Sequence, residues 1–130
     1  MEEIRLIPTN RLVDNPVYIR FEGLYTRRIA KPITDVIYNY FGVQECDIAT
    51  KYRGPDMVRV RHLVYYFLLR RTKLGLRQMG LIMGGQDHAT VLNGIRVITN
   101  AITPIGINGG VTIPDKELKR LVDELETLMP

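Results

Sequence analysis

Residues 63–69 read LVYYFLL, seven apolar or aromatic side chains in succession. They form the centre of PDMVRVRHLVYYFLLRRTK (55–73). Asp56 is placed to cap the start of a helix there. Arg70, Arg71 and Lys73 suit its carbonyl end, where the helix dipole favours cations. A helix that is apolar almost all round finds no use for a solvent-facing side, so it belongs in the middle of a bundle with other helices packed about it. Its N-terminal turns carry Arg59 and Arg61, whose charged heads can project past the core while their stems cover apolar surface. The chain is therefore expected to be mainly α, a helical bundle built round this segment.

The remaining sequence supplies partners for it. With 130 residues, 45% of them apolar and 25% charged, the chain has material for one domain with extensions and a core of useful size. KPITDVIYNYFG (31–42) reads as a helix, with Pro32 near its first turn, Ile33, Val36, Ile37, Tyr40 and Phe41 at helical spacing, and Gly42 as the stop. Before it, Pro8 and Pro16 interrupt the pattern. VYIRF (17–21) fits a short strand, while a helix over 17–30 is the other reading. QECDIATKY (44–52) reads as a short helix or turn. In TPIGINGGVTIP (103–114), Asn-Gly between apolar residues is a hairpin signal, so a small β-hairpin near 104–113 competes with a plain loop. PDKELKRLVDELETLM (114–129) is an amphipathic helix with Asp115 as its cap and a stripe of Leu118, Leu121, Val122, Leu125 and Met129. The stripe is expected to pack on the domain's own core, with homodimerisation or a protein partner as the alternative use.

Between these lies LGLRQMGLIMGGQDHATVLNGIRVITNAI (74–102), which reads as helix, turn, helix. Leu76, Met79, Gly80 and Met83 mark one face of the first helix, and Gly84-Gly85 breaks it. Asp87 is in place to cap the second, with Val91, Leu92, Ile95, Ile98 and Ile102 on its inner face. Two short helices joined by a tight glycine turn form a helix-turn-helix, whose second helix can enter the DNA major groove. The charge distribution agrees: residues 51–77 hold eight basic residues against Asp56 alone, +7 in a chain of net charge +4. A solvated face would account for such a block; gathered on one side of the fold, it is the footprint of a polyanion binder.

Other chemistry is poorly supplied. There is no phosphate-cradling G-x-x-x-x-G-K-[ST] loop, and the chain contains no serine for a Ser-His-Asp site. Its two histidines, His62 and His88, have no second His or Cys at metal-ligand spacing, so neither a metal nor a cofactor is expected. Cys46 paired with a histidine is compatible with the spacing, but nothing local supports it. No enzyme is therefore expected. The single cysteine excludes an internal disulfide framework, no apolar run approaches the ~18 residues of a membrane span, and the acidic start lacks a signal-peptide pattern. A cytoplasmic, nucleoid-associated protein with no membrane partner is the expectation.

GGQDHATVLNGIRVI (84–98) resembles the signature of the C-terminal DNA-binding domain of the bacterial replication initiator DnaA, in which a Gly-Gly, a basic residue, Asp-His and a Thr-Thr-Val run open the recognition helix. The likeness extends backwards without a gap through LGLRQMGLIMGG, MVRVRHLVYYFLLRR, the basic loop KYRGPD and ITDVIYNYFGVQECDI, covering roughly residues 31–101. It implies a helical domain with a Trp-repressor-like helix-turn-helix that binds a short double-stranded site, the DnaA box. The recognition helix would lie in the major groove and a loop arginine in the adjacent minor groove. It divides the chain into an N-terminal extension (1–30), the DNA-binding domain (31–102), and a Gly-rich segment with a terminal helix (103–130).

Carried over by position, Arg59 falls on the minor-groove arginine. Asp87, His88 and Ala89 fall on base-contacting positions, and Lys51, Arg53, Arg61, Arg77 and Thr90 fall where the family meets or neighbours the DNA backbone. Gln86, Asn93 and Arg96 are further candidates. The chemistry is apt: arginine suits the negative potential of a narrow A·T-rich minor groove, and a carboxylate accepts from a base amino group. At ~100° per residue, Ala89, Asn93, Arg96 and Asn100 share the outward side of the helix. Plainer roles stand beside these: Asp87 as a cap, His88 and Arg59 as solvated side chains, His62 as structural or a phosphate neighbour. Two departures matter. Gln86 replaces a basic residue, and Ala89 replaces a threonine, losing a hydroxyl. They leave room for a protein-interaction adaptor that keeps the fold without specific DNA reading. The initiator's ATP-binding AAA+ module has no counterpart here. The opening methionine favours a stand-alone binder over a piece of a longer protein.

Overall fold

The computed structural model describes the backbone of residues 16–44 and 55–130, and the side chains of that range other than those of 16–23, 55, 56 and 107. Its elements in chain order are α1 (Pro16–Phe41), α2 (Pro55–Arg71), α3 (Leu76–Ile82), α4 (His88–Ile102), β1 (Ile105–Ile107), β2 (Gly110–Thr112) and α5 (Lys116–Leu128). The α-helical bundle with one small hairpin matches the sequence-based expectation. The readings of 1–15 and of QECDIATKY lie outside the described residues.

α2 is the centre of the bundle. Every side chain from Leu63 to Leu68 is buried, and α1 and α4 pack against it on different sides. The all-round apolar run thus has its physical outlet. The helix starts at Pro55, whose missing N–H costs nothing at a first helical position. Asp56 therefore lies inside the first turn and is not the residue preceding it. At the other end, Arg70 rests over the Tyr66 ring at 5.4 Å, and Arg71 donates to the Glu126 and Pro130 carbonyls at the end of α5.

α1 corrects the reading of the N-terminal third. Neither a strand at VYIRF nor a new helix at Lys31 forms; one 26-residue helix runs through both, with Pro32 inside it. The buried positions Thr26, Ala30, Ile33 and Ile37 continue at helical spacing across the proline. Pro32 and Arg28, whose carbonyl loses its donor, are both exposed residues, so the missing bond lies on the solvent side of the helix. Gly42 ends the helix as expected, at φ +67°, with Val43 N–H donating to the Tyr38 carbonyl (3.0 Å) and Gly42 N–H to that of Asn39 (3.3 Å).

The chain after α4 folds back on the bundle. Ile105 pairs with Thr112 and Ile107 with Gly110, across a two-residue turn in which Asn108 and Gly109 both have positive φ. Asn-Gly is therefore the hairpin it signalled. Asp115 N–H donates to the Ala101 carbonyl, and the Asp115 carboxylate accepts from Leu118 N–H at 2.9 Å, capping α5. Leu118, Val122 and Leu125 are buried against the domain, and Tyr40 donates to Glu124 at 2.8 Å. The apolar stripe of the terminal helix is spent within its own bundle.

Candidate nucleic-acid interface

The site begins with how α3 hands over to α4. Gly75 N–H donates to the Gln78 side chain (2.9 Å), closing the first turn of α3, and Met79, Gly80 and Ile82 are buried beneath it. The Gly80 carbonyl then gathers three donors: the N–H groups of Met83 (3.2 Å), Gly85 (3.0 Å) and Gln86 (2.9 Å). Gly84 and Gly85, at φ +86° and +82°, take the left-handed conformations this tight reversal requires. The result is a turn whose exit is fixed by backbone bonds to the helix before it.

Asp87 starts α4 from that fixed exit. It is the N-cap, and its carboxylate accepts from Thr90 N–H at 2.8 Å. The Thr90 backbone bond, then its hydroxyl, hold the Asp87 carboxyl below the usual carboxylate range. A depressed folded-state value means that the cap contributes above the unfolded carboxylate range and is lost as pH falls through the folded value. In thermal melts taken from roughly pH 6 down to pH 2, the wild type should therefore lose stability relative to Asp87→Asn, which keeps an acceptor that does not titrate. A constant difference between the two across that range would show that the ionised cap contributes nothing.

α4 has two sides. Val91, Gly94, Ile95, Ile98 and Ile102 are buried; Asp87, His88, Ala89, Thr90, Asn93, Arg96, Val97 and Asn100 are exposed, and Gln86 is half-buried just before them. Leu92, expected inside, is only half-buried. The helix is about 22 Å long, so it presents a polar strip of groove-filling length.

The basic candidates separate. Arg59 is exposed on the second turn of α2, beside a hollow of about 300 Å³ lined by Phe41, Val43, Met57 and Val60. Arg77 is exposed on α3. Arg61 departs from the exposure expected of a backbone-contacting arginine: it is 7% exposed, its position on α2 turning into the bundle. Arg70 and Arg71 lean on α5, with Glu126 at 4.0 and 3.9 Å. Lys51 and Arg53 lie outside the described residues. Among the described residues of the basic block, Arg59 and Arg77 are exposed, Arg61 is buried, and Arg70 and Arg71 lie against α5.

Sequence reasoning gave His62 no particular partner. It is half-buried on α2, and burial first, then the charges of Arg59 and Arg61, push its imidazole toward the neutral form. A Cβ at Gly94 would stand 2.7 Å from His62 Cδ2 and 2.9 Å from Tyr65 Cδ2, so α4 crosses α2 there at glycine-only distance. The one available signal was a lone glycine inside a helical pattern.

Among the described residues, no group of three His, Cys, Asp or Glu side chains is placed to hold a metal ion, and no helix is long and apolar enough to cross a membrane. What the residues do offer is a capped helix with an outward-facing polar side, and an exposed arginine, Arg59, on α2. The family model for the bacterial DnaA protein helix-turn-helix matches residues 30–98. The chain belongs to this family. It is 31% identical over 93 residues to the chromosomal replication initiator protein DnaA of Flavobacterium psychrophilum, covering 72% of the chain and 17% of that protein. It is 32% identical over 99 residues to that of Porphyromonas gingivalis, covering 76% of the chain and 20% of that protein. The chain therefore spans about a fifth of the length of these DnaA relatives. Membership in the DnaA helix-turn-helix family makes DNA binding its class of function.

Proposed function

We propose that this chain binds double-stranded DNA sequence-specifically at DnaA-box-like sites, and that it acts by occupying them in replication initiation, its regulation, or transcription. In this reading α4 enters the major groove with Asp87, His88 and Ala89 at base edges, while Arg59 reaches into the adjacent minor groove. Thr90 and Arg77 meet the DNA backbone, with Lys51 and Arg53 assigned there from the family pattern alone. Asn93 and Arg96 continue the strip along the groove. The observation that carries the reading is the start of α4: four successive exposed residues, Asp87 to Thr90, held by a cap and by the Gly80 carbonyl. A reading head must keep its side chains in register with base edges, and here the outward polar groups stand on a backbone fixed by hydrogen bonds at its start.

The adaptor alternative has less support, since Leu118, Val122 and Leu125 of the α5 stripe are buried in the bundle and Leu121 and Met129 are half-buried. The test is titration of fluorescent duplexes carrying a DnaA box or a scrambled box, at several salt concentrations. The expected result is tighter binding to the box and affinity that falls steeply with salt for both duplexes. Equal, weak binding to both would remove sequence-specific reading from the proposal.

A further inference from the structure

We infer that the contact of His62 and Tyr65 with Gly94 is the spacer that sets the distance between the minor-groove arginine and the recognition helix, which makes Gly94 and His62 positioning residues for specificity. The inference rests on the reading of Arg59 and α4 as the two DNA-contacting parts.

Three features converge on this contact. The first is its closeness. The two rings stand where any Cβ at position 94 would fall, at 2.7 and 2.9 Å. Tyr65 is 1% exposed, so its ring has nowhere to withdraw. The second is location. Arg59 and His62, and then His62 and Tyr65, are each three apart on α2 and so neighbours on that helix. Arg59 therefore sits one turn from the residue that touches α4. On α4, Gly94 lies six positions, or about 9 Å, from His88. The contact thus joins the two helices that carry the proposed reading elements, one turn from Arg59 on α2. The third is that the rest of the α2–α4 interface is built to hold this spacing. Val91, Ile95 and Ile98 flank Gly94 on the same buried side and pack in one core with Val64 and Leu68.

A major-groove helix and a minor-groove arginine read one duplex together only if their separation matches the two adjacent grooves. A methyl group at position 94 would push the helices apart at that point. It would shift one reader relative to the other while leaving the charges that meet phosphate in place. The loss should fall on discrimination and spare general affinity.

The test uses the full chain as wild type, Gly94→Ala, His62→Ala and the double variant. Each is measured for thermal stability, for binding to box and scrambled duplexes, and by NMR for contacts between the residue 62 side chain, Tyr65 and residue 94. Gly94→Ala should lower the box-to-scrambled ratio by about tenfold or more while scrambled-duplex affinity and its salt slope stay within about twofold. The double variant should regain part of the ratio relative to Gly94→Ala, because removing the imidazole opens one of the two obstructed sides. If Gly94→Ala does not fold, a double variant that folds and discriminates supports the spacer. One that folds no better and discriminates no better overturns it. A folded Gly94→Ala with the wild-type ratio also overturns it. If the wild type itself prefers neither duplex, yet Gly94→Ala alters the residue 62–94 contacts, the DNA-reading proposal has failed and the spacer survives only as packing.

Discussion

Gly80→Ala should disable the helix-turn-helix. A Cβ at position 80 would lie 2.0 Å from the Gln86 carbonyl oxygen and 3.0 Å from its carbon. No rotamer change relieves a clash with backbone. Moving residue 86 away would break the bonds that the Gly80 carbonyl accepts from Gly85 and Gln86, each worth roughly 1 kcal/mol. Staying put would drive α3 off Val91, whose Cγ2 is 3.5 Å from the same point. Overpacking alone costs ~1–3 kcal/mol, and the bonds add to it, so a loss near or above the top of that range is expected. For a chain of this size that corresponds to a fall of roughly 10–20 °C in Tm. Gly75→Ala is the control, since a Cβ there would meet only the Gln78 side chain, at 3.8 Å; its change should stay within about 1 kcal/mol. Circular-dichroism melts decide the matter. Equal melting of the two variants would mean that residues 80 and 86 do not approach as the structure has them.

The same pair of glycines shows what was legible in the sequence. The reversal at Gly84-Gly85, the caps at Asp87 and Asp115, and the Asn-Gly hairpin are local devices. Each depends on residues within seven positions of one another, and each stands in the structure where the sequence put it. The burial of Leu63 to Leu68 was legible because a run of consecutive apolar side chains leaves only one kind of location, although Leu69, the seventh of the run, is 47% exposed. Long-range approach was not legible. Gly94 against His62 and Arg61 turned inward are consequences of which helix lies across which, and periodicity carries no record of that. α1 failed differently. The proline read as a boundary, although the buried positions on either side kept a single helical phase. One missing N–H on the solvent side was outweighed by a continuous apolar face.

Arg59→Ala and His88→Ala should both reduce box discrimination, by routes that salt separates. Each removes a proposed base contact, worth ~1–3 kcal/mol, or roughly 5–150-fold in the ratio of box to scrambled affinity. Arg59 also carries a charge into the DNA field. Its removal should lower affinity for both duplexes and flatten the slope of log affinity against log salt by about 0.9. His88 opens α4 on the exposed side, directly after the capped Asp87. Its loss should act on the box complex and leave the slope set by phosphate contacts in place. The two positions lie on different helices joined through the α2–α4 contact, so the double variant should come close to the product of the single effects if the grooves are read independently. If Arg59→Ala weakened both duplexes equally, Arg59 would be a phosphate contact and the minor-groove reading would be withdrawn. If His88→Ala left the ratio unchanged, reading would have to rest on Asp87, Ala89 and Asn93, and the departure at Ala89 from the family's threonine would then bear most of the difference in the sequence preferred.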